Sequence, residues 1–189
     1  PDNSTVDLNI SSTIEYSKEN WDDERKVHLE GEGFFKVEKG NKFTVDTDHG
    51  TIEVLGTEFN IRSRQKITEV ICYEGKVRVT DLSGESTILT QGMATKITDG
   101  LMETDWTPPV SGDADWKNGA SSFHAAPFAN VVEELENQYK ITVDLKTDMQ
   151  DKVYYGAFPH DNLEQALQMV VNPYALKYTI KSDSVVVIE

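Results

Sequence analysis

Cysteine occurs only once in this sequence of 189 residues, at Cys72. A single cysteine excludes an internal disulfide and a cysteine-rich zinc site. Cys72 lies in an apolar run at 70–73, where a buried and unreactive thiol is expected. The lack of a disulfide leaves the redox compartment open, because proteins of an oxidising compartment do not all need one.

Basic residues are also scarce. Lysine and arginine together number 18 against 33 aspartates and glutamates, which gives a formal net charge of −15. Nucleic acid is therefore excluded as a partner, because its phosphates require a surplus of lysine and arginine. An anionic membrane surface is disfavoured for the same reason.

Long apolar runs and targeting signals are missing as well. No segment approaches the roughly eighteen apolar residues of a membrane-spanning helix, and no signal peptide opens the chain. Pro1 is not a natural start. We therefore expect a mature or excised fragment whose membrane anchor or targeting signal lies outside these residues.

Catalytic motifs are not found in the sequence. There is no Gly-x-Ser-x-Gly, phosphate loop or Rossmann glycine pattern, and paired carboxylates alone do not define a glycosidase. The histidines do not have zinc-ligand spacing, and those in the last third are expected in solvent-facing loops. They are His28, His49, His124 and His160. We predict a non-enzymatic protein with no catalytic, cofactor-binding or metal site.

Residues 1–106 show alternating apolar and polar positions, with turn residues about every ten positions and no sustained helical period. About ten short strands are predicted, in an all-β sandwich or solenoid-like roll. In the second strand the predicted inward residues are Val27, Leu29, Phe35 and Val37, and the predicted outward ones include Glu32. Gly31 and Gly33 predict a bend or a close backbone contact, and a parity slip at Gly56 predicts a bulge or corner.

Residues 107–115 are proline-rich and polar, and they are predicted to be a linker. The following region, 116–189, contains the same apolar pattern twice at a period of 35 residues. The first copy is Phe128, Val131, Val132, Leu135, Tyr139, Ile141 and Val143; the second is Leu163, Ala166, Leu167, Val170, Tyr174, Leu176 and Tyr178. Phe123 and Phe158 precede the copies at equal distances. The spacing predicts strand, helix, strand in each copy, and hence a small α+β domain of two βαβ repeats.

Three segments resemble the signature segments of the FecR-like domain, in order and in spacing. They are Gly-Glu-Gly-Phe-Phe-Lys-Val at 31–37, Leu-Gly-Thr-Glu-Phe-Asn-Ile at 55–61 and Tyr-Glu-Gly-Lys-Val-Arg-Val at 73–79. The Trp-Lys-Asn-Gly opening at 116–119 and the two copies resemble the domain that follows in Bacteroidota members. That domain is similar to the short N-terminal domain of secretins and TonB-dependent receptors. The sequence departs from the family at 91–92, where Gln-Gly replaces the frequent Pro-Gly pair.

The resemblance implies the periplasmic sensor region of a single-pass inner-membrane anti-sigma factor. The implied partner is the signalling domain of an outer-membrane TonB-dependent receptor, whose signal leads to proteolysis and frees an extracytoplasmic-function sigma factor. The sigma factor would bind a cytoplasmic segment that is absent here, and the membrane would be reached only through a missing transmembrane helix.

Two further interpretations of the sequence are open. The terminal strand, made of Val185, Val186, Val187 and Ile188, is predicted to bind a partner by strand addition at a sheet edge; alternatively these residues are simply core. The alternative function is a periplasmic or surface carbohydrate-binding β-domain with a C-terminal protein-interaction module. Its stacking platform for sugars would be formed by Trp21, Trp106 and Trp116. Alternatively, Trp106 and Trp116 pack the linker against the two domains.

Overall fold

The fold is known from a computed structural model, which describes residues 2–21, 23–103, 106 and 114–189. The chain divides into two compact units, Pro1–Ala114 (unit 1) and Asp115–Glu189 (unit 2). Most of the predicted linker, at 107–113, lies outside the described residues.

Unit 1 is built from strands, because its short alternating segments are separated by turn residues. The strands are β1 Thr5–Leu8, β2 Thr13–Tyr16, β3 Arg25–Lys36, β4 Phe43–Thr47, β5 Gly50–Val54, β6 Glu58–Arg64, β7 Ile67–Glu74, β8 Lys76–Asp81, β9 Ser86–Thr90, β10 Ala94–Thr98 and β11 Leu101–Glu103. They form one sheet in the order β11-β10-β7-β6-β3-β4-β5-β8-β9, and β1 and β2 also pair with β3. The predicted β-rich architecture is confirmed as a curled sheet.

The long strand β3 is where the sheet curls. Its first half pairs with β2 and with β4, and its second half pairs with β1 and with β6. Side chains from both halves of the sheet meet in one core, in which the rings of Phe35 and Phe59 stack at 5.0 Å. Gly31 has a φ of +94°, and a side chain there would overlap Ser12. Gly56 lies at the corner between β5 and β6, as its parity slip predicted.

Glu32 lies on the face of β3 away from the core, as its alternation predicts, but it is only 6% exposed. Asn9 Nδ2 and Asn60 Nδ2 each donate to its carboxylate at 2.9 Å. Residues of alternating charge continue from it across five strands, each directly opposite the next: Glu32, Arg62, Glu69, Lys96 and Glu103. This charge ladder lies on the face of the sheet opposite the core. Cross-strand pairs of opposite charge support the register.

Unit 2 begins with a short 3-10 helix at Asp115–Asn118. Its elements are β12 Ala120–Pro127, α1 Phe128–Tyr139, β13 Thr142–Leu145, β14 Val153–Pro159, α2 Leu163–Val171, β15 Tyr178–Ser182 and β16 Val185–Ile188, with a second 3-10 turn at Asn172–Tyr174. Both helices begin at the first residue of their apolar pattern. Leu135 in α1 and Leu167 in α2 are both fully buried in one shared core.

The order strand, helix, strand occurs twice, but two βαβ units are not confirmed. A βαβ unit requires its two strands to lie parallel in one sheet. Here the first strands of the two copies, β12 and β14, pair with each other in a two-stranded antiparallel sheet. The last strands, β13 and β15, flank β16 in a separate three-stranded sheet. The periodic pattern identifies each element correctly, but it carries no information on which strands pair.

Candidate partner-binding surface

The prediction that residues 185–188 form a free edge is wrong, because β16 lies in the middle of its sheet. It pairs in parallel with β13 on one side and antiparallel with β15 on the other. Val186 and Ile188 are fully buried, whereas Val185 and Val187 are half-buried. A strand cannot be added to β16, since neighbours already occupy both of its edges. The last strand of the chain is therefore not the last strand of the sheet.

At one outer edge of this sheet, that of β13, a side chain occupies an outward backbone N–H group. The backbone N–H groups of Thr142 and Lys146 donate to β16, so the N–H of Val143 points to the opposite side. There it donates to Glu136 Oε1 at 2.8 Å. Because Glu136 belongs to α1, the helix of the first copy protects the edge of its own following strand.

The other outer edge, that of β15, has no strand beside it within the described part of the chain. Lys177 and Glu189 exchange two backbone hydrogen bonds, of 2.7 and 2.9 Å. Hydrogen-bonded and non-bonded pairs alternate in an antiparallel ladder. The backbone N–H and C=O groups of Tyr178 and Ile180 therefore point away from β16. We call this backbone from Tyr178 to Ile180 the β15 edge.

Side chains around the β15 edge are apolar and basic. Ile180 is 40% exposed, and Tyr178 is half-buried against the core of the unit. Lys177 and Lys181 lie at either end and are exposed. Lysine on an edge strand discourages unspecific pairing. An incoming strand with apolar residues could pack against Ile180, and a carboxylate on it could form an ion pair with Lys177 or Lys181.

The histidines of the two copies were predicted in solvent-facing loops, which is wrong for His124; His160 does lie in a bend, just after β14, and is half-buried. His124 is in β12 and its ring meets the ring of Tyr155 edge-on at 5.2 Å. His160 Nε2 is 2.9 Å from Ser121 Oγ, which in turn donates to Glu134 Oε1 at 3.1 Å. Burial lowers the pKa of His160, while the charges of Glu134 and Asp161 oppose that effect.

The geometry of this cluster indicates a structural role for Ser121, not that of a nucleophile. Ser121 Oγ has one proton and gives it to the Glu134 carboxylate, so the imidazole must act as the donor towards the hydroxyl. Ser121 and Glu134 are 5% and 1% exposed. The cluster joins β12, α1 and the end of β14 inside the unit. Among residues 2–21, 23–103, 106 and 114–189, no three potential metal ligands lie together.

The tryptophans do not form an exposed platform. Trp21 is 6% exposed and packs edge-on against Phe43, and Trp106 is 8% exposed below the ammonium group of Lys96 at 5.8 Å. A sugar ring needs an open aromatic face, which these two indoles do not offer. Trp116 lies in the first 3-10 helix and is half-buried. The carbohydrate-binding alternative thus loses the feature on which it rested.

Sequence comparison assigns both units. The family described as FecR protein matches residues 1–78, and the family described as FecR, C-terminal, matches residues 121–187. The chain belongs to the FecR family. No curated protein matches the chain.

Two crystal structures of a protein from Parabacteroides distasonis ATCC 8503, provisionally assigned as an anti-sigma factor, are similar to this FecR-family chain. They were determined at 1.65 and 2.50 Å resolution. Each is 25% identical and has a TM-score of 0.86. The similarity covers 100% of this chain and 91% or 90% of the other. Within the described residues, no helix combines the length and apolarity needed to cross a bilayer.

Proposed function

We propose that this FecR-family chain is the periplasmic sensor region of a single-pass, inner-membrane anti-sigma factor. It takes its signal from the signalling domain of an outer-membrane TonB-dependent receptor. It controls an extracytoplasmic-function sigma factor through a cytoplasmic segment outside these residues. The role is regulatory and non-enzymatic. The observation that carries the proposal is the order of the two family matches along a chain whose whole length is similar to the structure provisionally assigned as an anti-sigma factor.

The receptor domain docks on the β15 edge of unit 2. Strand addition there satisfies the outward backbone groups of Tyr178 and Ile180, and it needs no rearrangement of β16. The incoming strand places apolar side chains beside Ile180 and a carboxylate beside Lys177 or Lys181. This edge replaces residues 185–188 as the partner-binding segment, because Glu136 occupies an outward N–H group of β13 on the other side.

Calorimetric titration of the 189-residue chain with the isolated signalling domain of a TonB-dependent receptor from the same organism tests both levels of the proposal. Ile180→Pro removes the outward N–H but keeps the bonds between β15 and β16, so binding is expected to weaken by at least about tenfold. The matched pair is Ile180→Lys and Met169→Lys, since both side chains are 40% exposed and only the first lies on the β15 edge. Met169→Lys is expected to bind normally.

The two levels can fail separately. If the unmodified chain does not bind the receptor domain at high micromolar concentration, the receptor is the wrong partner. If the chain binds and Ile180→Pro binds equally well, the partner is right and the β15 edge is wrong.

A further inference from the structure

The N-terminal segment 2–16 is attached to unit 1 at one edge of β3. Within the described residues, its strands β1 and β2 pair with β3 alone, one with each half. No apolar side chain of the segment is fully buried. Val6 and Ile14 are half-buried against the core, while Leu8 and Tyr16 are 38% and 44% exposed. Hydrophobic burial therefore contributes little to holding this segment in place.

Polar clamps hold the beginning of the segment instead. Arg25 Nε donates to Asp2 Oδ2 at 2.6 Å, and its Nη2 atom lies 3.4 Å from Ser4 Oγ. The N–H of Glu38 also donates to Ser4 Oγ, at 3.1 Å. The same guanidinium lies over the ring of Phe43 at 5.5 Å, so it is fixed to the body of the unit.

A second set of clamps holds the turn between β1 and β2. Asn9 Nδ2 donates to the Glu32 carboxylate, and the Glu32 N–H donates to Ser12 Oγ, both at 2.9 Å. Arg64 Nη2 donates to the carbonyl oxygen of Ile10 at 2.7 Å. The attachment is thus concentrated in a few charged or polar groups at the ends of the strands.

The remainder of unit 1 does not depend on this segment. If β1 and β2 leave, β3 keeps β4 and β6 as neighbours. Its core side chains Val27, Leu29 and Phe35 also keep their partners from the other strands. Regions with few buried apolar contacts open at a lower free energy than the core of the same unit.

We propose that residues 2–16 form a strap that opens from β3 as a unit while the rest of unit 1 stays folded. Opening uncovers the backbone edge of β3 from Val27 to Lys36. The strap is a conformational device of unit 1, and it can be tested independently of any partner of unit 2.

Hydrogen exchange with mass spectrometry, on the whole chain under native conditions, tests the strap. The amides of 4–16 are expected to exchange through an opening that leaves β5 and β8 protected. Arg25→Gln removes the charged clamp and is expected to speed exchange of 4–16 by about tenfold or more, with no change in β5 and β8. The matched control is Arg78→Gln, an exposed arginine on β8, which is expected to leave 4–16 unchanged.

Asp2→Asn serves as a second variant if Arg25→Gln does not fold. It keeps the guanidinium and is expected to speed exchange of 4–16 by about threefold, with the difference reduced in high salt. Exchange of 4–16 at the same opening free energy as β5 and β8, unaltered by either clamp variant that folds, would overturn the proposal.

Discussion

The two units finish their sheets in different ways. In unit 1, β1 and β2 are clamped by arginines and the edge strand β11 has only three residues, while the edge strand at the other end, β9, has five. In unit 2 Glu136 occupies an outward N–H group at one edge, whereas the β15 edge keeps its outward backbone groups available. Natural proteins usually protect sheet edges. We propose that a partner strand binds at this edge of unit 2.

The largest effect is expected from shortening core side chains of unit 2, whose two helices share one core. Leu135→Ala and Leu167→Ala should each destabilise unit 2 by about 2–5 kcal/mol, because both side chains are fully buried in its single core. Chemical denaturation followed by hydrogen exchange measures the effect and assigns it to a unit. Met169→Ala on the exposed side of α2 is the control. A neutral result for either leucine variant would contradict the shared core.

Unit 1 has an apolar core of its own and, in addition, a buried carboxylate at one of its turns. Desolvation opposes ionisation of Asp81, but hydrogen bonds from Ser83 and from the N–H groups of Met102 and Glu85 outweigh it and hold its pKa below the usual value. Asp81→Asn is expected to destabilise unit 1 by about 1–3 kcal/mol.

The pH dependence follows from the lowered pKa of Asp81. Its contribution is complete above the pKa of the unfolded chain and is lost as the pH falls through the folded value. Acid titration of stability should therefore be flatter for Asp81→Asn than for the unmodified chain. Identical acid profiles would show that the carboxylate does not stabilise the turn.

The two copies in unit 2 differ at their helix starts, which allows a smaller test. Asn162 caps α2 by accepting from the Gln165 N–H at 3.0 Å, whereas Pro127 before α1 makes no side-chain cap. Asn162→Ala should cost about 0.5–2 kcal/mol, and Pro127→Ala should cost less. Thermal unfolding of the two variants compares the copies directly, and a larger loss for Pro127→Ala would count against a stabilising cap at α2.

The smallest effect is expected on the charge ladder of unit 1. Desolvation raises the pKa of Glu69, although the charges of Arg62 and Lys96 oppose it. A carboxyl group with a raised pKa stabilises the fold below its unfolded pKa, and this is lost as the pH rises through the folded value. Glu69→Gln should then stabilise unit 1 at neutral pH by less than about 1 kcal/mol. Lower thermal stability at neutral pH would indicate that the ion pairs of the ladder dominate instead.

The spacing of apolar residues predicted the positions of the helices and strands well. It did not predict which strands pair when they are distant in the sequence. The starts of α1 and α2 follow from apolar spacing, since a helix face is encoded within a dozen residues. The place of residues 185–188 depends on β13, more than forty positions earlier, and no alternation pattern records that. The burial of Glu32 has the same origin: its alternation places it correctly on the outward face, but it is covered by Asn9 from the β1–β2 turn and Asn60 from β6.

Amide exchange at single residues, measured by NMR on the complex with the receptor signalling domain, tests the central claim most directly. The β15 edge predicts that the amides of Tyr178 and Ile180 become protected on binding. The amide of Thr179, which already faces β16, should change little. Protection confined to unit 1 or to the helices of unit 2, with Tyr178 and Ile180 unchanged in a saturated complex, would contradict the account.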